Sequence, residues 1–156
     1  MALPNDERLD YLGLDLLVTP FFQGTTWSSV DLELRPGRGD TDDLGVAQGV
    51  DALRQALVLR LLTPRGSLAA LGHARYGSRV HELIGRENNR SNRLLLRAIV
   101  LETLLQEPRV ASVELLEIVP DTLDSTIVHV HAQVRPVGAD AAVNDPAIAL
   151  TLEVRL

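Results

Sequence analysis

The sequence predicts an α+β fold, with two main helices packed on a small, mostly antiparallel sheet and an extended N-terminal arm. Three observations carry that expectation. Apolar residues recur at helical spacing over residues 47–62 and 91–106. Residues 127–135 and 148–156 alternate apolar and polar with a period of two, as half-buried strands do. The first 43 residues hold neither pattern for long, so they read as an arm (1–43) ahead of one main domain (44–156).

Taken in order, residues 11–18 could dock as an extended or short helical piece. Residues 25–34 alternate weakly and read as one strand, and residues 35–43 have turn chemistry. In the first helix Val50, Leu53, Leu57 and Leu61 form the apolar stripe, Arg54 and Arg60 are placed off it, and Pro64 stops the pattern. Thr63-Pro64-Arg65-Gly66 is a turn. Residues 67–74 follow as a short strand or irregular segment, and Tyr76-Gly77-Ser78 permits a tight bend with serine capping a short helix through Gly85. The second helix is apolar on nearly all sides, so either another subunit or the chain's own sheet and arm must cover it.

The rest is β. Residues 113–119 break alternation at Leu115-Leu116, which suggests a bulge, and residues 120–124 make a hairpin loop to the next strand. There Val128, Val130, Ala132 and Val134 share one face. In the last strand Ile148, Leu150, Leu152, Val154 and Leu156 do the same. A terminal strand with a free edge can pair with another chain, so Leu150, Leu152 and Val154 are assigned to partner binding by strand addition.

Composition excludes several functions. At 156 residues, 46% apolar and 23% charged, the chain suits one ordinary globular domain. Zero cysteines remove disulfides, thiolate metal sites and cysteine nucleophiles. Aromatics at 3% and a net charge of −6 argue against nucleic acid as a partner. No stretch is apolar for long enough to cross a bilayer, and residues 1–10 lack a basic region followed by an apolar one, so neither a membrane role nor signal-peptide secretion is expected. The charge is uneven: residues 1–43 hold nine acids and three bases, residues 44–109 five and ten, and residues 110–156 seven and two. A basic middle between acidic ends suits internal matching or charged neighbours equally. All fifteen bases are arginine, whose planar fork binds carboxylates and tolerates interfaces.

A search for catalytic chemistry finds little. His129 and His131 share a strand face at a spacing two metal ligands could use, but no third ligand presents itself, and an exposed or rim pair is the alternative. His81-Glu82 begins a zinc-protease pattern that Gly85 ends. No serine sits in a Gly-x-Ser-x-Gly elbow, and no glycine loop cradles phosphate. The expectation is therefore a non-enzyme without cofactor or metal.

The most informative segment is Glu107-Pro108-Arg109, where the second helix gives way to the first hairpin strand. Proline drives Glu107 out of helical geometry, and in an extended segment residues 107 and 109 project to one side, about 6.5–7 Å apart. Two opposite charges on a rigid corner can engage a matching pair on a neighbour, or can simply be solvated at a helix stop.

The order of these features resembles the baseplate wedge, or sheath-initiator, family of contractile phage tails, once labelled lysozyme-like. The features are the helix through Leu62, Thr63-Pro64-Arg65-Gly66, Tyr76-Gly77-Ser78, and the long helix closing on Glu107-Pro108-Arg109 before a β-hairpin. The likeness covers residues 44–135. It implies a structural baseplate subunit of a phage tail or injection system, assembled in the cytoplasm in six copies. Its Glu107, Pro108 and Arg109 would dock on the wedge proteins, its terminal strands would join the first ring of sheath subunits, and tube or hub proteins would lie nearby. One departure is Ser67-Leu68 where the family often has Glu-Arg after the turn glycine. A stand-alone regulatory binding module of the anti-adaptor kind and a cell-wall hydrolase are the alternatives.

Overall fold

The computed structural model describes residues 12–23, 26–32, 34–36, 42–138 and 147–156. The fold is α+β, as expected. It divides into two compact units, one ending at Gln55 and the other formed by Ala56–Leu156. The division thus falls inside the first helix, twelve residues past position 43.

In the first unit the described part of the arm is built of three short antiparallel pairs. β1 (Leu14–Leu16) pairs with β6 (Val46–Gln48), β2 (Val18–Gln23) with β3 (Thr26–Leu32), and β4 (Leu34–Pro36) with β5 (Asp42–Leu44). Residues 25–34, read as one strand, therefore contain β3 and the start of β4, and residues 37–41 of the expected turn lie outside the described residues. Gln55 fastens this ribbon to helix α1 (Val50–Leu62): its amide oxygen accepts from Val18 N–H at 2.8 Å and its amide nitrogen donates to Leu16 O at 2.7 Å. Ala47, expected inside that helix, instead pairs with Asp15 in the β1–β6 ladder, and Gly49 at φ 61° turns the chain into α1.

The second unit carries the core. From Leu57 and Leu61 of α1 the chain passes 3₁₀ turns at Ala69–Leu71 and Val80–Leu83 and enters α2 (Arg90–Leu105). Asn89 caps α2 by accepting from Asn92 N–H at 2.9 Å. α2 buries Leu96, Ile99, Val100 and Leu104. So the helix that reads as apolar all round buries one face and leaves Leu94, Leu95 and Leu105 exposed among the described residues.

β7 (Val110–Pro120), β8 (Ile127–Pro136) and β9 (Ile148–Arg155) make an antiparallel sheet in that order. The register slips between Val113 and Leu115, at the expected bulge, and again between Val110 and Ser112. Val128, Val130, Ala132 and Val134 are all buried, as are Ile148, Leu150, Leu152, Val154 and Leu156. Each fully buried valine or leucine contributes about 1.5–3 kcal/mol of transfer free energy, which makes this face the main cohesive surface of the unit.

Candidate functional site

Two motifs far apart in sequence come together at the end of α1. Ser78 N–H donates to Thr63 O at 2.8 Å, Arg65 N–H donates to Ser78 O at 2.8 Å, and the Ser78 hydroxyl donates to Leu61 O at 2.5 Å. The same hydroxyl accepts from Val80 N–H at 3.2 Å just ahead of the 3₁₀ turn, whose N-cap is Arg79 and carries no side-chain cap, so the serine braces the turn from one residue before the capping position expected for it. Gly77 makes the joint possible. Its φ is +100°, and a Cβ there would lie 2.5 Å from Thr63 O and 2.9 Å from the Pro64 carbonyl carbon. Gly77→Ala should therefore cost at least ~2 kcal/mol, from strained φ and backbone overlap together. Gly66→Ala, at φ +88° with nothing within 4 Å, should cost only about 1 kcal/mol. Urea denaturation of the two variants checks this; equal losses would mean the close approach is unimportant.

This joint sets Arg65 and Tyr76 around Arg60, beside the Glu107-Pro108-Arg109 corner. The corner differs from the extended segment expected. Glu107 N–H bonds to Leu104 O at 3.3 Å and Val110 N–H to Glu107 O at 3.0 Å, so the chain makes a tight turn. The two charges engage each other and do not project side by side: Arg109 Nε donates to Glu107 Oε1 at 2.6 Å. Arg60 donates to the other carboxylate oxygen at 3.0 Å, and only 5% of Glu107 is exposed. Pro108 is exposed and Arg109 partly so. Burial pushes the Glu107 carboxyl up, but the hydrogen bond and charge of Arg109, joined by Arg60, outweigh it and hold the carboxyl below its ordinary range. Glu107 is thus an internal anchor, and its expected outward role is corrected.

Arg60 corrects a second expectation. It was placed off the apolar stripe, yet it stands seven residues after Leu53 and three after Leu57, which is the same helix face. The structure shows its side chain only 14% exposed, with the guanidinium stacked on Tyr76 at 4.7 Å from the ring centre. Its Nε is buried without an acceptor among the described residues. Around it opens a cleft of about 710 Å³ lined by Arg60, Arg65, Arg75, His73, Tyr76 and Gln106, with Gly72 and Ala74. Sequence reading missed this cluster; the available signals were the helical position of Arg60 and the basic middle segment.

The sheet offers two outer edges, and they differ. Arg97 Nε donates to Leu116 O at 3.2 Å, which, with two register slips, seals part of β7. Among the described residues no strand pairs with the outer side of β9. Leu156 N–H bonds to Thr126 O on the β8 side and Arg155 O accepts from Gly85 N–H, so odd-numbered residues of β9 turn their backbone groups outward. The outward groups belong to Ala149, Thr151 and Glu153, whose side chains are also exposed. Leu150, Leu152 and Val154 face the core and are 5–6% exposed, so their side chains are not a contact surface. They hold the edge rigid.

On the opposite sheet face His129 and His131 stack with ring centres 6.2 Å apart. His129 Nε2 lies 2.8 Å from Asp121 Oδ2 and its Nδ1 is 3.7 Å from Glu153. The His129 bond, with backbone N–H groups of Asp124 and Leu123, lowers the Asp121 carboxyl to about 2. An ionised carboxylate only accepts, so Nε2 carries the proton. Among the described residues no three histidine, aspartate or glutamate side chains gather as metal ligands. No helix there is long and apolar enough to cross a membrane.

The family model described as contractile injection system sheath initiator matches residues 30–135. Among solved structures, the crystal structure of a candidate tail lysozyme from Geobacter sulfurreducens superposes with a TM-score of 0.52 at 17% identity, covering 66% of this chain and 86% of that one. At that identity the likeness concerns the fold. No curated protein is significantly similar to the chain.

Proposed function

Because the chain belongs to the sheath-initiator family of contractile injection systems, we propose that it is a non-enzymatic baseplate subunit that attaches to the wedge through the Pro108–Arg109 corner and nucleates the first sheath ring by strand addition at β9. The outer edge of β9 is the observation that carries this reading, since the outward N–H and C=O groups of Ala149, Thr151 and Glu153, which pair with no strand among the described residues, are a template for a further strand. Glu107 contributes by fixing the corner from inside, held between Arg60 and Arg109. Pro108 and the partly exposed Arg109 then meet the wedge partner. Attachment of wedge, sheath and hub proteins in six copies, and incorporation into a phage tail or injection particle, follow from the same reading.

Arg109→Ala tests the wedge contact. Loss of one side of an interfacial charge pair costs about 2–5 kcal/mol of binding. The variant should remain folded and should drop out of purified sheathed particles, with wild-type protein found at the baseplate end. An unchanged amount of variant in such particles would refute the contact. A cell-wall hydrolase would instead clear peptidoglycan as purified protein, and we expect no clearing.

A further inference from the structure

The cleft beside the corner is an unevenly charged surface of the second unit. Arg60, Arg65 and Arg75 line it and no carboxylate does. Two acids reach these arginines from outside the lining: Glu107 is shared by Arg60 and Arg109, and Glu102 takes Arg65 at 2.9 Å while also accepting from Gln106. Among the described residues the three lining guanidinium groups therefore meet two carboxylates, one of them shared with Arg109, a local excess of positive charge in a chain of net −6. Among the described residues Arg75 makes no hydrogen bond or ion pair, and Arg60 has Nε without an acceptor. A buried donor left unpaired costs about 1–3 kcal/mol, so the site is under-satisfied as it stands.

We propose that this cleft is a socket for an acidic polypeptide segment of a protein partner, with neighbouring carboxylates seated on Arg75 and Arg65. If the corner docks on a partner as read above, this is the chemistry that the partner brings. Planar guanidinium groups take carboxylates in two-pronged fashion, and the volume suits a few side chains. Nucleic acid fits less well, because one face of the Tyr76 ring is already covered by Arg60, which leaves the small imidazole of His73 as the other ring in the lining on which a base could stack. The Gly77 joint holds Arg65 and Tyr76 in place before any ligand arrives, which lowers the entropy lost on binding.

Nuclear magnetic resonance titration of the ¹⁵N-labelled full chain tests this, with a hexaglutamate peptide, inorganic phosphate and a six-residue oligothymidylate in separate arms. Hexaglutamate should shift the amides of residues 72–76 and the Arg60 Nε–H. Arg75→Glu should weaken that binding about tenfold or more, while Arg90→Glu, the same change of net charge at the start of α2, should leave it nearly intact. Absence of shifts at these positions, equal weakening by both variants, or tighter binding of phosphate or oligothymidylate would each overturn the proposal. The titration requires no particle. Hexaglutamate binding together with normal particle recruitment of Arg109→Ala would remove the wedge contact and keep the socket, and the reverse pair of results would remove the socket alone.

Discussion

Glu107→Ala should lower the stability of the chain by about 3–5 kcal/mol, the cost of removing one partner from a buried ion pair and leaving the other uncompensated. The geometry supports the upper part of that range. Glu107 is 5% exposed and both of its oxygens are used, by Arg60 at 3.0 Å and Arg109 at 2.6 Å. Without it, Arg60 keeps its charge under Tyr76 with no carboxylate and with Nε already lacking an acceptor. For a chain of this length the midpoint of thermal unfolding should fall by roughly 6–20 °C. The double variant Arg60→Met, Glu107→Leu should recover part of the loss, since an apolar replacement leaves no charge stranded. A double variant less stable than the single one, or a single variant within about 1 kcal/mol of wild type, would show that the carboxylate does not pin the corner.

The same pair sets a dependence on pH. The Glu107 carboxyl is held below its ordinary value of 4.5 in the folded chain, so its contribution is present above that value and is lost as the pH falls through the folded pKa. The stability gap between wild type and Glu107→Gln should therefore be constant near neutrality and shrink below about pH 4.5. Chemical denaturation at a series of pH values reads it directly, and a gap that widened in acid would reverse the assigned sign.

What could be read from the chain alone follows the distance over which each feature is encoded. The helices, the three long strands and the bulge near Leu115 rest on patterns within ten or so residues, and α1, α2 and β7–β9 lie close to where periodicity put them. The pairing of β1 with β6 joins residues about thirty apart through strands only three residues long, too short to show a period. The corner is intermediate. Its turn was marked by Pro108, but the partner that draws Glu107 inward, Arg60, lies 47 residues away. Likewise Gly77 and Ser78 mark a bend locally, while their closure onto Thr63 and Leu61 is tertiary. Leu150, Leu152 and Val154 show the converse. Alternation correctly placed them on one face, and the face it marks is the buried one, so an edge strand offers a partner its backbone and its odd-numbered side chains.

Thr151→Pro should separate folding from assembly. Thr151 sits mid-way along β9 with its side chain exposed, and its N–H points away from β8, because Leu156 N–H pairs with Thr126 O and Arg155 O turns outward to Gly85. Proline there removes no bond of the β8–β9 ladder and is tolerated on such an edge, at a cost of about 1–2 kcal/mol for the shift in φ. It does remove a donor from the middle of the only outer row that Arg97 and the β7 bulges leave open among the described residues. An added strand would lose that bond and meet the proline ring, so sheath growth on wild-type tubes should fail although the monomer melts cooperatively. Leu150→Pro is the contrasting variant: its N–H faces β8 and its side chain is in the core, so the chain itself should unfold. Thr151→Ala, which keeps the backbone donor, should assemble normally. Full-length sheath nucleated by the folded Thr151→Pro protein would exclude β9 as the initiating edge.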